Sequence, residues 1–121
     1  PAAARAMLQA LRSTAVSGRR VAVLGEMLEL GDDAYALHER CGQAASQAAD
    51  ELVVVGGPAA DGLMAGARAG GLAASRIHRY TSSEAAAPAV AALVRAGDLV
   101  LVKGSRGTRT DLIADRLKAG A

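Results

Sequence analysis

Short apolar runs alternate with longer amphipathic segments along all 121 residues of the chain. Three of the runs are rich in valine or leucine and uninterrupted, which is typical of strands buried on both faces of a parallel sheet. The predicted strands are 21–25, 51–57, 76–81 and 98–103, and helical periodicity predicts helices over 2–14, 33–49, 58–69, 81–96 and 110–119. This order predicts an α/β fold, a Rossmann-like three-layer sandwich with about four mostly parallel strands and helices on both faces.

Local signals suggest where these elements begin and end. Asp32 is placed to cap the second helix, and Pro58 suits the first position of the third. Thr81 and Glu84 have the spacing of a capping box for the fourth helix. Pro88 interrupts that helix, which leaves Pro88 as an alternative start for its regular part. The alternating pattern of 76–81 favours a short strand near an edge of the sheet.

The amino-acid composition narrows the classes of molecule that the protein is expected to bind. Hydrophobic residues make up 51% of the chain and aromatic residues only 2%, so the core has to be built from Ala, Val, Leu and Ile. Two tyrosines offer little surface for stacking nucleobases. The net charge is +2, with basic and acidic residues mixed along the chain, unlike the dense basic stripe of a duplex-DNA binder. Nucleic acid is therefore not an expected partner.

Cysteine usage and hydropathy bear on the cellular setting. A single cysteine, Cys41, excludes an internal disulfide and a cysteine-based zinc site, and it is expected to face the core and be inert. No cluster of metal ligands is recognisable, and no run approaches the roughly 18–20 apolar residues that span a bilayer. We expect a cytoplasmic protein without membrane insertion. The first residue is Pro1 rather than Met, which suggests a piece of a longer protein.

The loop "KGSRGTR", residues 103–109, follows the last strand and is a candidate anion site. Gly104 allows close approach of a ligand to the backbone, and amides at the following helix start favour negative charge. Lys103, Arg106 and Arg109 add full charges that can bind a carboxylate or phosphate. The alternative is that the glycines only shape a turn and the arginines are solvated. The loop does not have the spacing of a P-loop.

A second candidate loop, "LGEMLELG" at 24–31, places Glu26 and Glu29 just after the first strand. Two carboxylates there are suited to binding an ammonium group or to an acid–base step, although surface glutamates would look the same. His38 is alone on its helix, and a lone histidine is more often a structural hydrogen-bonding group than a ligand. These loops lack a complete catalytic set, which fits a domain that supplies one wall of a shared site.

Two long stretches resemble one family. "RRVAVLGEMLELGDDAYALHERCGQAA", residues 19–45, is similar to a segment of the MurF-type Mur ligases that reads Leu-Gly-[Asp/Glu]-Met-Leu-Glu-Leu-Gly, with a His about seven residues later. Gly25 through Gly31 and His38 match that pattern. "GDLVLVKGSRGTRTDLI", residues 97–113, resembles the same family's Lys-Gly-Ser-Arg-Gly-x-Arg segment. The resemblance covers essentially the whole chain, in order and at the right spacing.

The resemblance implies that residues 1–121 are the C-terminal domain of a three-domain enzyme. In the family, an N-terminal domain binds UDP-N-acetylmuramoyl-tripeptide, and a central P-loop domain binds ATP and Mg²⁺. The tripeptide carboxylate becomes an acyl phosphate, and the amine of D-Ala-D-Ala attacks it to give the pentapeptide precursor of peptidoglycan. Family members carry Asp-x-Tyr-Asn-Ala-Asn-Pro at the start of this domain, so the strand before Pro1 would be missing and one sheet edge exposed.

The resemblance also implies roles for the loop residues. Lys103, Gly104, Ser105, Arg106 and Arg109 would bind D-Ala-D-Ala or the acyl-phosphate region. Glu26 and Glu29 would orient the amine of the dipeptide or position the other loop, with His38 in support. The domain would close over the central ATPase domain of the same chain, and residues 1–121 alone would be inactive.

Two alternatives to this interpretation stay open. One is a stand-alone anion- or nucleotide-binding α/β module. The other is the C-terminal domain of a Mur ligase that adds a single amino acid, although the type that adds diaminopimelate or lysine typically carries Gly-Lys-Gly-His-Glu in its loop.

Overall fold

The computed structural model describes residues 2–27, 31–104 and 108–120. Within these residues, helices and strands alternate as the sequence predicts. They are α1 (Ala2–Ser13), β1 (Arg20–Gly25), α2 (Ala34–Ala48), β2 (Glu51–Val55), α3 (Ala60–Ala69), β3 (Ile77–Tyr80), α4 (Ser83–Leu93), β4 (Leu99–Lys103) and α5 (Asp111–Gly120). Short 3-10 turns at Gly31–Asp33 and Ala74–Arg76 precede α2 and β3.

The four strands form one sheet in the order β3-β2-β1-β4, and each neighbouring pair is parallel. In the register, Val23 of β1 lies opposite Val53 of β2 and Val102 of β4. The predicted α/β fold with a parallel sheet is confirmed. β3 is an outer strand, as its alternating pattern predicts.

The two faces of the sheet belong to two separate cores. Ala22, Leu24, Leu52 and Val54 pack with buried residues of α1, α2 and α3. Val21, Val23, Val53 and Val55 pack on the other face with α4 and α5. Side chains alternate between faces along a strand, so consecutive residues of β1 and β2 serve opposite cores. Each fully buried valine or leucine contributes roughly 1.5–3 kcal/mol. The three-layer sandwich is thereby confirmed.

Helices α2 and α3 approach each other closely through glycine. A Cβ atom on Gly42 would lie 2.1 Å from the carbonyl oxygen of Leu63, and one on Gly66 would lie 1.9 Å from that of Glu39. No side chain fits at either position without separating the helices. Cys41, beside this contact, is 2% exposed. Burial raises the pKa of its thiol, which disfavours the reactive thiolate, as the sequence led us to expect.

Two predicted helix starts are wrong by one or two residues. The residue that precedes α2 is Asp33 rather than Asp32, and its side chain makes no capping hydrogen bond. The 3-10 turn at Gly31–Asp33 accounts for the shift, because it takes up the residues before the helix. α3 begins at Ala60 rather than Pro58. Pro58 lies in a turn, and its carbonyl oxygen accepts a hydrogen bond from the amide of Asp61 at 3.1 Å.

The capping box predicted for α4 is also wrong. The N-cap is Ser82, whose hydroxyl accepts from the amide of Ala85 at 3.2 Å, and Thr81 lies outside the helix. The helix is regular from Ser83 and continues through Pro88, so Pro88 is not its start. Pro88 is exposed. α4 ends at Leu93, earlier than the predicted Ala96.

Charged groups connect the amino ends of the strands. The Asp98 carboxylate accepts from the backbone amides of Arg19 and Arg95, each at 2.9 Å, and from the Arg19 guanidinium at 3.0 Å. These bonds, chiefly the one from the Arg19 amide, hold the pKa of Asp98 at about 2. The buried Glu51 lies 3.7 Å from Arg19 and 3.6 Å from His78, which is half-buried. This charged group lies at the end of the sheet opposite the loops of interest.

The cap of α4 can be tested directly. We expect Ser82→Ala to lower the free energy of unfolding of the chain by about 1 kcal/mol, because the amide of Ala85 loses its acceptor. Thr81→Ala is the matched control and is expected to change it by less than about 0.5 kcal/mol. Urea unfolding measures both. A larger loss for Thr81→Ala than for Ser82→Ala would restore the capping box.

Candidate functional site

The order in which the strands are added to the sheet reverses between β1 and β4. The chain proceeds from β1 outward to β2 and β3, and then returns to place β4 on the other side of β1. Loops leaving the carboxyl ends of two such strands diverge and leave a crevice, where ligands of open α/β sheets bind. Leu24 pairs with Lys103 at this end. Both loops that the sequence singles out therefore border the same crevice.

The glycines at the ends of β1 and β4 leave room for the residues that lead into α5. A Cβ atom on Gly25 would lie 2.7 Å from Oγ1 of Thr108 and 3.3 Å from Cα of Gly104. One on Gly104 would lie 2.7 Å from Cγ2 of Thr110, which is itself buried. Gly104 was predicted to permit close approach of a ligand. In the structure it permits close approach of the residues that lead into α5.

A cleft of about 200 Å³ opens at this edge of the sheet. Residues from the loops after all four strands line it: Glu26, Val55–Gly57, Thr81–Glu84, Thr108 and Arg109. The cleft thus carries two carboxylates, one guanidinium and several hydroxyls. Such a mixture suits a small ligand that bears both charges more than it suits an apolar one.

The carboxylate of Glu26 binds backbone amides of the neighbouring loop. Its Oε1 accepts from the amide of Gly57 at 3.1 Å, and its Oε2 accepts from that of Ala59 at 2.9 Å. The backbone amide of Glu26 donates to the carbonyl of Val55 at 2.7 Å. The carboxylate therefore lies just before α3, where free amides and the helix dipole favour negative charge. The sequence left two roles open for Glu26, orienting an amine or positioning the loop at 103–109. The loop that its carboxylate binds in the structure is instead the one between β2 and α3.

Arg109 lies at the rim of the cleft, with φ of 52° in the left-handed region. Its guanidinium donates to both oxygens of Asp111, at 3.0 and 3.1 Å. This bidentate pair raises the pKa of Arg109 and lowers the pKa of Asp111, because each charged form is held by the other. Arg109 therefore remains cationic, with one edge of its guanidinium directed to Asp111.

His38 is fully buried and hydrogen-bonded to the backbone on both sides of its ring. Its Nε2 accepts from the amide of Met27 at 2.8 Å, and its Nδ1 lies 2.5 Å from the carbonyl oxygen of Ala34. The amide of Met27 can only donate, so the neutral ring carries its proton on Nδ1. Through this bond His38 holds the backbone directly after Glu26.

Sequence reasoning missed Ser83, which connects two of the loops. Its buried hydroxyl donates to the carbonyl oxygen of Thr108. The start of α4 is thereby joined to the segment before α5. The available signal was that both loops follow strands at the same edge of the sheet. Neither residue type is distinctive by itself.

The predicted site residues divide into two groups. Glu26 and Arg109 line the cleft, Lys103 and Gly104 lie at the end of β4 on the same edge of the sheet, and His38 is buried behind Met27. Glu29, Ser105 and Arg106 lie outside the described residues, and their predicted roles stay predictions.

The part of the chain that the structure describes contains neither a cluster of metal ligands nor a helix that could span a membrane. No group of three or more His, Cys, Asp or Glu residues there is arranged to hold a metal ion. No helix in residues 2–27, 31–104 and 108–120 has the length and hydropathy to cross a membrane.

The fold is that of a Rossmann-like α/β domain, and comparison with known proteins specifies its family. Residues 1–106 match the family model described as "Mur ligase, glutamate ligase domain". The chain belongs to this Mur ligase family, in agreement with the resemblance of its two loops.

Two proteins with similar sequences are ligases that carry the same name. The chain is 32% identical over 117 residues to the UDP-N-acetylmuramoyl-tripeptide–D-alanyl-D-alanine ligase of Bacillus subtilis, covering 97% of this chain and 25% of that protein. It is 38% identical over 136 residues to the Mycobacterium tuberculosis ligase of the same name, covering 98% and 27%. The chain thus spans about a quarter of the length of these relatives.

A solved structure agrees with the sequence relatives. The MurF ligase of Thermotoga maritima in complex with ADP superposes with a TM-score of 0.76 at 26% identity. The match covers 99% of this chain and 26% of that one.

The two glycines after β2 are expected to differ in how well they tolerate replacement by alanine. Gly56 has φ of 134°, and a Cβ atom there would lie 2.5 Å from Cβ of Glu26. We expect Gly56→Ala to lower the free energy of unfolding by about 1–3 kcal/mol, from backbone strain and this contact. Gly57→Ala is the comparison and should cost less, because its φ is not left-handed and its Cβ atom, 3.2 Å from the Glu26 carboxylate, requires only a small shift of that side chain. Equal losses by urea unfolding would contradict this geometry.

Proposed function

We propose that this chain is the C-terminal domain of a three-domain, ATP-dependent ligase that joins D-Ala-D-Ala to UDP-N-acetylmuramoyl-tripeptide during synthesis of peptidoglycan precursors. The observation that carries the proposal is that the two loops resembling MurF-type ligases end at one crevice of the sheet. The relatives that match nearly the whole chain carry this activity in their names. The cytoplasm, where nucleotide-linked precursors are made, is the proposed location.

In the proposed reaction, ATP supplies the phosphoryl group that converts the terminal carboxylate of the tripeptide into an acyl phosphate, releasing ADP. The amine of D-Ala-D-Ala attacks the acyl carbon, the new peptide bond forms, and inorganic phosphate leaves. Phosphoryl transfer is assigned to the central ATPase domain, as the resemblance to MurF-type ligases implies. The domain formed by this chain holds the incoming dipeptide.

The charges of the cleft suit that dipeptide, which bears an ammonium group at one end and a carboxylate at the other. We assign the carboxylate, or the charge that develops during acyl transfer, to the loop of Lys103, Ser105 and Arg106. Arg109 extends the same positive side to the rim of the cleft. The ammonium group is assigned to the side that carries Glu26 and Glu29.

A domain that supplies only one wall of the site is not expected to carry out the reaction by itself. The cleft lies at the surface of this domain, so closure against the central domain would exclude water and complete the site. Residues 1–121 alone are therefore expected to show no ATP hydrolysis.

The test is phosphate release by the full-length protein with ATP, Mg²⁺ and UDP-N-acetylmuramoyl-tripeptide, with and without D-Ala-D-Ala. We expect release to require the dipeptide and to yield the pentapeptide. Arg106→Ala should raise KM for D-Ala-D-Ala at least about tenfold, since a hydrogen bond to a charged group contributes ~1.5–3 kcal/mol.

Arg68→Ala is the matched control for Arg106→Ala. Arg68 is exposed in the last turn of α3, away from the cleft, and its replacement should leave KM unchanged. Release that does not depend on the dipeptide, or ATP hydrolysis by residues 1–121 alone, would contradict the proposal. Either result would favour a nucleotide-binding module.

A further inference from the structure

The loop between β2 and α3 is held from a second side by Arg79 of β3. Nη2 of Arg79 donates to the carbonyl oxygen of Gly57 at 2.9 Å, and Nη1 donates to that of Tyr80. Nε donates to the carboxylate of Asp61 in α3 at 3.1 Å. The side chain is only 22% exposed, so the guanidinium lies between the end of its own strand and the neighbouring loop.

The contacts of Arg79 complement those of Glu26. A carboxylate can only accept and a guanidinium can only donate, so Glu26 binds the amides of Gly57 and Ala59 while Arg79 binds the carbonyl of Gly57. The amide of Gly56 donates to the carbonyl of Tyr80 at 3.0 Å. Glu26 therefore binds the amide of Gly57, and Arg79 binds its carbonyl, which also accepts from the amide of Ala60 at 3.0 Å.

The contacts of Glu26 also determine the part of the cleft to which an anion is attracted. The amides before α3 would attract an anion, but the carboxylate of Glu26 already binds them. Lys103 lies on the opposite side, at the end of β4, and Arg109, whose charge is paired with that of Asp111, lies before α5. An anionic group of a ligand is consequently attracted to that side and not to the loop between β2 and α3.

We infer that Glu26 and Arg79 are positioning residues, which hold the loop of residues 56–59 so that Gly56 and Gly57 form a fixed wall of the cleft against which the ligand is oriented. The identity of the ligand, D-Ala-D-Ala, rests on the proposed function. The fixed wall itself rests on the contacts of Glu26 and Arg79 alone. Arg79 was not among the residues that the sequence pointed to.

The wall is tested by hydrogen–deuterium exchange of the amides of Gly57 and Ala59 in the full-length protein. Glu26→Gln keeps the size of the side chain but leaves one acceptor oxygen, so one of the two amides loses its partner. We expect that amide to exchange at least about tenfold faster. Arg79→Gln should accelerate exchange of the same segment, because the carbonyl of Gly57 then keeps only its bond from the amide of Ala60.

Asp61→Asn is the matched control for Arg79→Gln. It removes the charge of the exposed partner of Arg79 and leaves the two bonds from Arg79 to backbone carbonyls in place. Exchange at residues 57–59 should then be unchanged. If Asp61→Asn accelerates exchange as much as Arg79→Gln does, the ion pair rather than the loop contact is responsible, and the inference about Arg79 is overturned.

Kinetics distinguish positioning from a general structural role. We expect Glu26→Gln and Arg79→Gln each to raise KM for D-Ala-D-Ala by about tenfold, equivalent to ~1.4 kcal/mol. KM for ATP should stay close to that of the unaltered protein, and the melting temperature should fall by no more than about 4 °C. A residue that only stabilised the fold would lower the melting temperature and impair every substrate alike.

The outcomes separate this inference from the proposed function. Unchanged exchange in both variants overturns the fixed wall, whatever the enzyme does. Faster exchange with an unchanged KM for the dipeptide overturns the positioning role and leaves the ligase activity standing. If the unaltered protein shows no dipeptide-dependent phosphate release, the proposed function fails, and orientation of D-Ala-D-Ala is overturned with it. Exchange then still decides whether the wall exists.

Discussion

The parallel register between β1 and β2 is the constraint on which the rest of the structure depends. Val23 lies opposite Val53 and Gly25 opposite Val55, and the amide of Glu26 continues the ladder to the carbonyl of Val55 at 2.7 Å. A shift of one residue would turn each valine of β1 toward the other core and would move Glu26 away from the loop that it binds. The pairing that closes the two cores therefore also builds one wall of the cleft.

The order and type of the elements were predictable because burial imposes a period on the sequence. Continuous valine-rich runs mark strands covered on both faces, and small residues allow α2 and α3 to touch at Gly42 and Gly66. Helix starts were less predictable, since two adjacent residues often carry competent capping groups. Ser82 caps α4 where Thr81 also could, and local sequence contains nothing that ranks the two.

The site was predictable to the level of loops and not of contacts. Glu26 and Lys103 could be placed together because the carboxyl ends of parallel strands meet at one edge of a sheet. The roles of Arg79 and Ser83 depend on bonds to backbone carbonyls 22 and 25 residues away, which leave no trace in residue spacing. For the same reason the sequence could not decide whether the carboxylate of Glu26 binds a ligand or a loop.

The central claim is that a ligase holds its incoming dipeptide in the cleft at the carboxyl ends of β1 and β4. It is tested most directly by a crystal structure of the full-length protein with UDP-N-acetylmuramoyl-tripeptide, a non-hydrolysable ATP analogue and D-Ala-D-Ala. We expect the dipeptide carboxylate within hydrogen-bonding distance of the loop at 103–109, with residues 56–59 as the facing wall. A dipeptide bound away from these loops, for example near Asp98 at the opposite end of the sheet, would contradict the account.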